Sequence, residues 1–233
     1  MGKRGKRYEQ AKKAIEAGRH YHPLDAIRVL KEQEVTRFDP TIEVHFRLGV
    51  NVRHADQQLR GTISLPHGTG REVTVAVFAQ GETARDAEAA GADIVGADDL
   101  AKRIPEGVTD FDVVIATPDM MGTVGQLGRI LGPQGKMPNP KSGTVTMDVG
   151  KAVEDIKSGK VEYRTDRTAI VHLGIGKRSF GERELAENYQ AVVEEIIRQK
   201  PAAAKGRYLR SITLCQTMGP GSPVDTAITS DVL

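Results

Sequence analysis

Two glycine-containing segments are the first candidates for phosphate chemistry. A dinucleotide-binding loop needs G-x-G-x-x-G directly after a strand, because only glycines let the backbone approach the pyrophosphate. Residues 79–82 read AQGE, with one glycine and a carboxylate beside the position that a phosphate would occupy. Residues 132–137 contain a Gly-Lys pair, but Ile130 stands where a P-loop needs glycine and Met137 where it needs serine or threonine. Neither segment predicts a phosphate-binding catalytic loop.

The histidines and the single cysteine do not form a recognisable catalytic or metal-binding motif. None of the histidines has the i, i+4 partner or the nearby cysteines of a common zinc site; they are His20, His22, His45, His54, His67 and His172. Cys215 excludes an intrachain disulfide and is predicted to be a small residue in the core or on a strand face. No nucleophile motif such as G-x-S-x-G occurs. We therefore expect no enzyme activity, no metal and no cofactor; a nucleotide-binding Rossmann-type enzyme is the alternative.

The last predicted strand, from about Tyr208 to Gln216, carries a small polar face. Because side chains alternate along a strand, Ile212 and Leu214 point to one side, and the other side carries Ser211, Thr213, Cys215 and, just beyond the strand, Thr217. If this strand pairs with the alternating strand at residues 41–50, that face extends through Thr41, Glu43 and His45. Short hydroxyls can bond to RNA sugars and phosphates, and Gly219 permits a close backbone contact. An ordinary solvated sheet face is the alternative.

Basic residues surround this face and also occupy one stiff loop. The predicted cationic rim consists of Arg37, Arg164, Arg167, Lys177, Arg178, Lys205 and Arg210. The loop at residues 132–141 contains three prolines, Lys136 and Lys141, and no carboxylate. A loop stiffened by proline can present lysines to phosphates at little cost in ordering entropy, although a plain connector has the same composition.

Length and composition set the class of protein. A chain of 233 residues with 39% apolar and 27% charged residues is typical of one large or two modest globular domains. The net charge is only +2, but it is uneven, with a basic start, an acidic stretch at residues 82–112 and no carboxylate between residues 122 and 147. No apolar run is long enough to span a bilayer, and no apolar core follows the basic N-terminus. We expect a cytoplasmic protein without a membrane partner.

The order of elements predicts an inserted domain. Alternating strands and long amphipathic helices occur near both chain ends, including a helix at Glu182–Arg198, whereas the middle alternates short apolar strands with helices, as parallel βα units do. Within the middle, residues 119–131 are predicted to be helical although three glycines weaken the pattern. The prediction is a discontinuous α+β domain of residues 1–69 and 159–233, with an inserted α/β domain of residues 70–158. The tail after Pro220 is predicted to be loosely held.

Residues 128–141, GRILGPQGKMPNPK, closely resemble the signature of the bacterial ribosomal protein L-one family. Further similar segments run nearly from end to end, namely residues 5–8 (GKRY), 38–39 (FD), 60–68 (RGTISLPHG), 116–119 (ATPD) and 217–220 (TMGP). The resemblance implies a two-domain protein with a Rossmann-like insert. It also implies a structural constituent of the large ribosomal subunit that binds 23S-type rRNA directly, forms the mobile stalk and assists release of deacylated tRNA from the exit site.

The resemblance implies one further partner, a messenger RNA, and a set of RNA-contacting residues. Family members bind messenger RNA of their own operon and repress its translation, and the free protein is expected to be a monomer. Carried over by position and combined with the cationic rim, the expected rRNA-binding residues are Arg37, Phe38, Thr41, Glu43, Arg164, Arg167, Lys177, Ser211, Thr217, Met218 and Gly219. Arg129, Lys136 and Lys141 are expected to make a secondary RNA or tRNA contact.

Overall fold

The computed structural model describes residues 5–105, 107 and 110–229. Lys3 and Arg4 of the basic start, Glu106 of the acidic stretch and residues 230–233 of the predicted tail lie outside the described residues. The chain divides into two compact units. Unit 1 combines the segment up to Arg71 with the segment from Val161 onward, and unit 2 is Glu72–Lys160. Each junction lies two residues after the predicted one.

The described residues form the following helices and strands. The helices are α1 (Lys6–Lys13), α2 (Pro23–Glu32), α3 (Glu82–Ala89), α4 (Asp98–Arg103), α5 (Met121–Gln126), α6 (Gly128–Leu131), α7 (Val149–Lys157) and α8 (Glu182–Arg198). The strands are β1 (Thr41–Leu48), β2 (Arg60–Ser64), β3 (Val75–Phe78), β4 (Ile94–Gly96), β5 (Val113–Ala116), β6 (Lys160–Arg164), β7 (Ile170–Lys177), β8 (Leu209–Gln216) and β9 (Ser222–Val224). Short 3₁₀ turns occur at Ala55–Gln57, Pro118–Met120 and Pro140–Ser142.

A four-stranded antiparallel sheet in the order β7-β1-β8-β9 forms the centre of unit 1. One face of this sheet is apolar, since Val44, Phe46 and Leu214 are fully buried. Helices α2 and α8 cover that face, with Ile27 of α2 and Tyr189 of α8 in the same core cluster. Strands β2 and β6 form a separate two-stranded sheet. The alternation in the sequence therefore predicted correctly which side of the long strands is buried.

Unit 2 is built on a parallel sheet in the order β4-β3-β5. Successive residues of β3 point to opposite faces, so Val75 and Val77 pack against α3 and α7, whereas Ala76 and Phe78 pack among residues of α4, α5 and α6. Both faces are thus covered, as the short, wholly apolar strands predicted.

The prediction of a single helix at residues 119–131 is wrong. These residues form a 3₁₀ turn followed by α5 and α6, and Gly122, Gly125 and Gly128 lie within these short pieces. The backbone freedom of glycine lowers the gain from continuing a helix, so the chain turns between the pieces.

The prediction of a loosely held tail after Pro220 is also wrong, because residues of this tail form β9, which pairs with β8 at the edge of the sheet. Ser222 and Val224 are fully buried. On its other side, β9 exchanges backbone hydrogen bonds with Tyr21, whose N–H donates to Pro223 O over 2.9 Å. Proline lacks an N–H and is tolerated at a sheet edge, which is why the sequence did not look like a strand.

Asn188 of α8 fixes a loop to the core of unit 1 and provides a test of the fold. Its buried side-chain amide accepts from His67 N over 3.0 Å and donates to Gly68 O over 3.0 Å and to Ile175 O over 2.7 Å. We expect Asn188→Ala to lower the free energy of unfolding by about 2–3 kcal/mol, because buried backbone groups lose their partners. Urea unfolding followed by tyrosine fluorescence measures this, since the five tyrosines all lie in the two segments of unit 1.

The matched control is Gln190→Ala in the same helix. The Gln190 amide bonds only to the exposed Glu194 side chain among the contacts described, over 2.9 Å. Its removal should change the free energy of unfolding by about 0.5 kcal/mol or less. Equal losses in the two variants would contradict the role given to Asn188.

Candidate nucleic-acid interface

The side of the unit 1 sheet that faces away from α2 and α8 is polar. We call it the polar face; its members on three adjacent strands are Thr41, Glu43, His45, Arg47, His172, Ser211, Thr213 and Cys215. The pairing of the first and last long strands is confirmed: β1 and β8 are antiparallel, with Glu43 opposite Cys215 and Arg47 opposite Ser211. Six of these eight side chains are half-buried, and four of them are short (Thr41, Ser211, Thr213 and Cys215), so the face allows close approach by another surface.

A hydrogen-bonded cluster closes one end of the polar face. Thr217 N donates to Thr41 O over 3.0 Å, and Thr41 N donates to Thr217 Oγ1 over 3.1 Å. Lys177 at the end of β7 donates from Nζ to Thr41 Oγ1 over 3.1 Å. Three of the predicted RNA-binding residues, from three different chain segments, are therefore in direct contact. The cluster holds one ammonium group beside two hydroxyls, which suits a phosphate or a sugar hydroxyl.

Met218 projects from the turn that follows this cluster. Its φ is +62°, a left-handed conformation that costs a residue with a side chain about 1–2 kcal/mol, and its side chain is 73% exposed. The next residue must be small, because a Cβ atom at Gly219 would lie 2.6 Å from Gln216 Cγ. Gly219 N donates to Gln216 O over 2.7 Å and closes the turn. An exposed apolar side chain held in a strained backbone is typical of a binding surface.

Phe38 is a second exposed apolar side chain, in the loop that leads into β1. It is 56% exposed, next to the exposed Arg37. The loop is anchored by Asp39, whose carboxylate accepts from Ser179 N over 3.1 Å and from Ser179 Oγ over 2.6 Å. Phe38 and Arg37 therefore stand on a loop fixed to the end of the sheet where Thr41 begins β1.

Three of the remaining predicted residues, Ser211, Arg164 and Arg167, lie at the opposite end of the sheet, whereas Glu43 lies on β1 only two residues from Thr41. Ser211 is opposite Arg47, six residues from Thr217 along the chain, or roughly 20 Å at the rise of a strand. Arg164 and Arg167 flank the turn that enters β7, and with Arg53 they line an open cleft of about 630 Å³. The predicted residues thus form two groups, one at each end of the polar face.

The other residues of the predicted cationic rim differ in whether their side chains are exposed or bonded within the protein. Arg178 is engaged within the protein, because its Nη1 donates to Gln33 O over 3.0 Å and its backbone N–H donates to Pro40 O over 2.9 Å. Lys205 and Arg210 are exposed. Arg178 therefore positions the loop before β1 rather than standing free at the rim.

A group of ligand-type side chains at the middle of the polar face was missed by the sequence analysis. His45 Nε2 lies 3.0 Å from Cys215 Sγ and 3.9 Å from a Glu43 oxygen, and His45 Nδ1 lies 2.8 Å from His172 Nδ1. Burial and then repulsion by His172 lower the pKa of His45, so its imidazole is neutral at physiological pH. Burial and then Glu43 raise the pKa of the Cys215 thiol to about 11. Only the strand register reveals this group, because the residues are far apart in the chain.

The secondary basic residues all lie in unit 2. Arg129 of α6 and Lys141 are exposed, whereas Lys136 is half-buried, with its ammonium group 5.1 Å from the centre of the Phe111 ring. The loop that carries the two lysines is held by Asn139, whose Oδ1 accepts from Lys141 N over 2.8 Å and whose N–H donates to Thr144 Oγ1 over 2.8 Å. Hydrogen bonds as well as prolines therefore order the loop.

Within the described residues, every helix is too short or too polar to cross a bilayer. Comparison with known proteins gives consistent matches along the chain. The model of the ribosomal protein L1p/L10e family matches residues 30–220. A large ribosomal subunit protein uL1 from Thermobifida fusca strain YX is 59% identical over 229 residues, which is 98% of this chain and 97% of the relative. A protein of the same name from Frankia alni strain ACN14a is 56% identical over 231 residues, or 99% and 97% of the two chains.

These matches extend through both segments of unit 1 and all of unit 2, and they include the signature at residues 128–141. The expected absence of enzyme activity agrees with a family of structural ribosomal proteins, which removes the nucleotide-dependent enzyme as an alternative. The chain belongs to the ribosomal protein L1p/L10e family.

Proposed function

We propose that this chain is a structural component of the large ribosomal subunit and binds 23S-type rRNA directly through the polar face of unit 1. The names of its relatives support the assembly. The main support for RNA binding is the composition of one end of the sheet. There Met218 and Phe38 are exposed, and Thr41, Thr217 and Lys177 form a hydrogen-bonded cluster.

This end of the sheet offers complementary contacts to a folded RNA. The Thr41 and Thr217 hydroxyls and the Lys177 ammonium group suit sugars and phosphates, whose contacts set position rather than sequence. Met218 and Phe38 can pack against unstacked bases or sugar rings, which RNA exposes in loops and bulges. Glu43, half-buried on β1, can accept from a 2′-hydroxyl or a base amine.

The two arginines of the cleft at the other end supply phosphate contacts. Arg164 and Arg167 are both exposed, and guanidinium groups bind phosphate oxygens in a bidentate manner. Contacts at both ends of a roughly 20 Å face favour recognition of a folded RNA by its shape, because a folded RNA presents phosphates and unstacked bases in a fixed arrangement.

Unit 2 has a different role in the proposal. Exposed Arg129 and Lys141, on a helix and a loop without carboxylates, support a weaker contact with the deacylated tRNA that leaves the exit site. With unit 1 fixed to rRNA, the protein would form the mobile stalk beside that site and assist tRNA release. No covalent chemistry is involved, because the proposed work is recognition and gating.

The same face supports a role as translational repressor. An operon messenger RNA that copies the fold of the rRNA site would bind the same contacts and would be displaced by rRNA. Repression would then depend on how much of the protein remains free of ribosomal RNA.

The first prediction about RNA binding tests whether Met218 contributes to RNA affinity without contributing to the stability of the fold. We expect Met218→Gly to weaken binding to a 23S-type rRNA stalk fragment at least fivefold, because the exposed thioether is lost from the contact. The free energy of unfolding should stay unchanged or rise by up to about 1 kcal/mol, since glycine relieves the left-handed strain. Fluorescence anisotropy of labelled RNA and urea unfolding measure the two quantities.

The control is Met147→Gly in unit 2, whose side chain is 60% exposed. It should leave rRNA affinity unchanged. Equal affinities of wild type and Met218→Gly for the rRNA fragment would reject the placement of Met218 in the contact.

A second prediction concerns salt. Several phosphate contacts should make the logarithm of the affinity fall linearly with the logarithm of salt concentration, with each contact contributing about 0.7–0.9 to the slope. Arg167→Gln should reduce the steepness by about one unit. The control, Arg183→Gln, should leave the slope of the salt dependence unchanged. Arg183 lies on α8, on the other side of the sheet, and is paired with Glu187 over 2.9 Å. A salt-independent affinity would exclude phosphate contacts as the main source of binding.

A third prediction concerns the messenger RNA. Fragments of 23S-type rRNA and of the leader of the protein's own operon should compete for one site, and Met218→Gly should weaken both by a similar factor. Simultaneous binding of the two RNAs to one chain would show that repression uses another surface or does not occur.

A further inference from the structure

At the middle of the polar face, Glu43, which the RNA-binding proposal uses, lies beside His45 and Cys215, which that proposal does not use. We propose that Glu43, His45 and Cys215 form a binding site for a borderline-soft divalent cation, with Zn²⁺ the best match. The donor set comprises one carboxylate oxygen, one imidazole nitrogen and one thiolate sulfur, each of which is an ordinary zinc ligand.

The distances between the ligand atoms suit one small cation. The three atoms lie within 4.8 Å of one another, with 3.0 Å from His45 Nε2 to Cys215 Sγ and 3.9 Å from His45 Nε2 to the Glu43 carboxylate. Bonds of about 2.1 Å to nitrogen and oxygen and about 2.3 Å to sulfur place tetrahedral ligands roughly 3.4–3.6 Å apart. The observed separations fall on both sides of this value, so rotations of the side chains are enough to close the site.

The backbone holds the three residues in place before a cation arrives. Glu43 and Cys215 are directly opposite on the paired strands β1 and β8, and His45 is two residues along β1 on the same face. Side chains opposite each other in an antiparallel pair are about 5 Å apart at Cβ, a separation that two ligands of one metal can bridge. Ligands on paired strands are placed more rigidly than ligands on loops.

The hydrogen bonds around His45 leave the required nitrogen available. His45 Nε2 lies 3.0 Å from Cys215 Sγ and His45 Nδ1 lies 2.8 Å from His172 Nδ1, so with the ring proton on Nδ1 the ring donates to His172 and its Nε2 lone pair faces Cys215. His172 Nε2 in turn lies 3.7 Å from Asp166 Oδ2. A ligand histidine whose other nitrogen donates to a polar partner is the usual arrangement around zinc. His172 and Asp166 are therefore positioning residues.

Binding replaces a proton by the cation. The Cys215 sulfur loses its proton to solvent and bonds to Zn²⁺, while His45 Nε2 and a Glu43 oxygen each donate a lone pair. No electron is transferred. Three protein ligands leave the fourth position of a tetrahedral ion to water.

The test uses the full chain with Zn²⁺ and with Co²⁺ as a spectroscopic substitute. We expect one Zn²⁺ per chain to bind with a dissociation constant below about 10 μM at pH 7.5, measured by competition with a chromophoric chelator. Bound Co²⁺ should show a thiolate-to-cobalt charge-transfer band in the near ultraviolet. Weaker Zn²⁺ binding, or a Co²⁺ complex without that band, would overturn the proposal.

Variants assign the ligands. Cys215→Ser and His45→Gln should each weaken Zn²⁺ binding at least tenfold, and Cys215→Ser should abolish the charge-transfer band. His172→Gln should weaken binding by about tenfold to a hundredfold and retain the band, as expected of a positioning residue. His54→Gln, at an exposed histidine outside the paired strands β1, β7 and β8, is the control and should change nothing.

Folding of each variant is checked by tyrosine fluorescence. Cys215→Ala gives the same comparison if serine destabilises the strand. Wild-type affinity in the thiol-free variants would overturn the assignment of Cys215.

Discussion

The pairing of β1 with β8 is the interaction on which the rest of unit 1 depends. It joins segments that are 176 residues apart in the chain, as the bond between Thr41 N and Thr217 Oγ1 illustrates. Closing such a loop costs conformational entropy, although this cost grows only with the logarithm of loop length. Burial of the opposite side of the same strands, where Val44, Phe46 and Leu214 are fully enclosed, offsets it. A separately folded unit 2 inside the loop lowers the cost further, because its ends are already fixed in space.

The pairing of β1 with β8 also determines which functional side chains lie next to each other on the polar face. Strand alternation in the sequence was sufficient to predict that Ser211, Thr213 and Cys215 share a side, and the apolar strands of unit 2 correctly predicted a parallel sheet covered on both faces. The register was not predictable, since it depends on irregularities such as the one between Arg47 and Leu48. For this reason the grouping of Glu43, His45 and Cys215 became visible only in the structure.

Other misses have equally specific causes. Strand β9 is short and contains Pro223, so its sequence resembles a loop, yet the main chain of Tyr21 and the strand β8 provide partners on both sides. Helix propensity indicated that the glycines weaken the helix at residues 119–131, but it did not predict that the segment would divide into α5 and α6. The resemblance to a ribosomal protein family was predictable because it rests on continuous motifs, and the comparisons confirm it.

The arrangement of the two units also has a consequence for biosynthesis. Unit 2 is one continuous stretch, Glu72–Lys160, so all of its strands emerge from the translating ribosome together and can pair at once. Unit 1 must wait, because β1 leaves the exit tunnel long before its partners β7 and β8 have been translated. During that interval the apolar side of β1, including Phe46, lacks its native covering, so the nascent chain exposes surface that is prone to aggregation until the later strands have been translated.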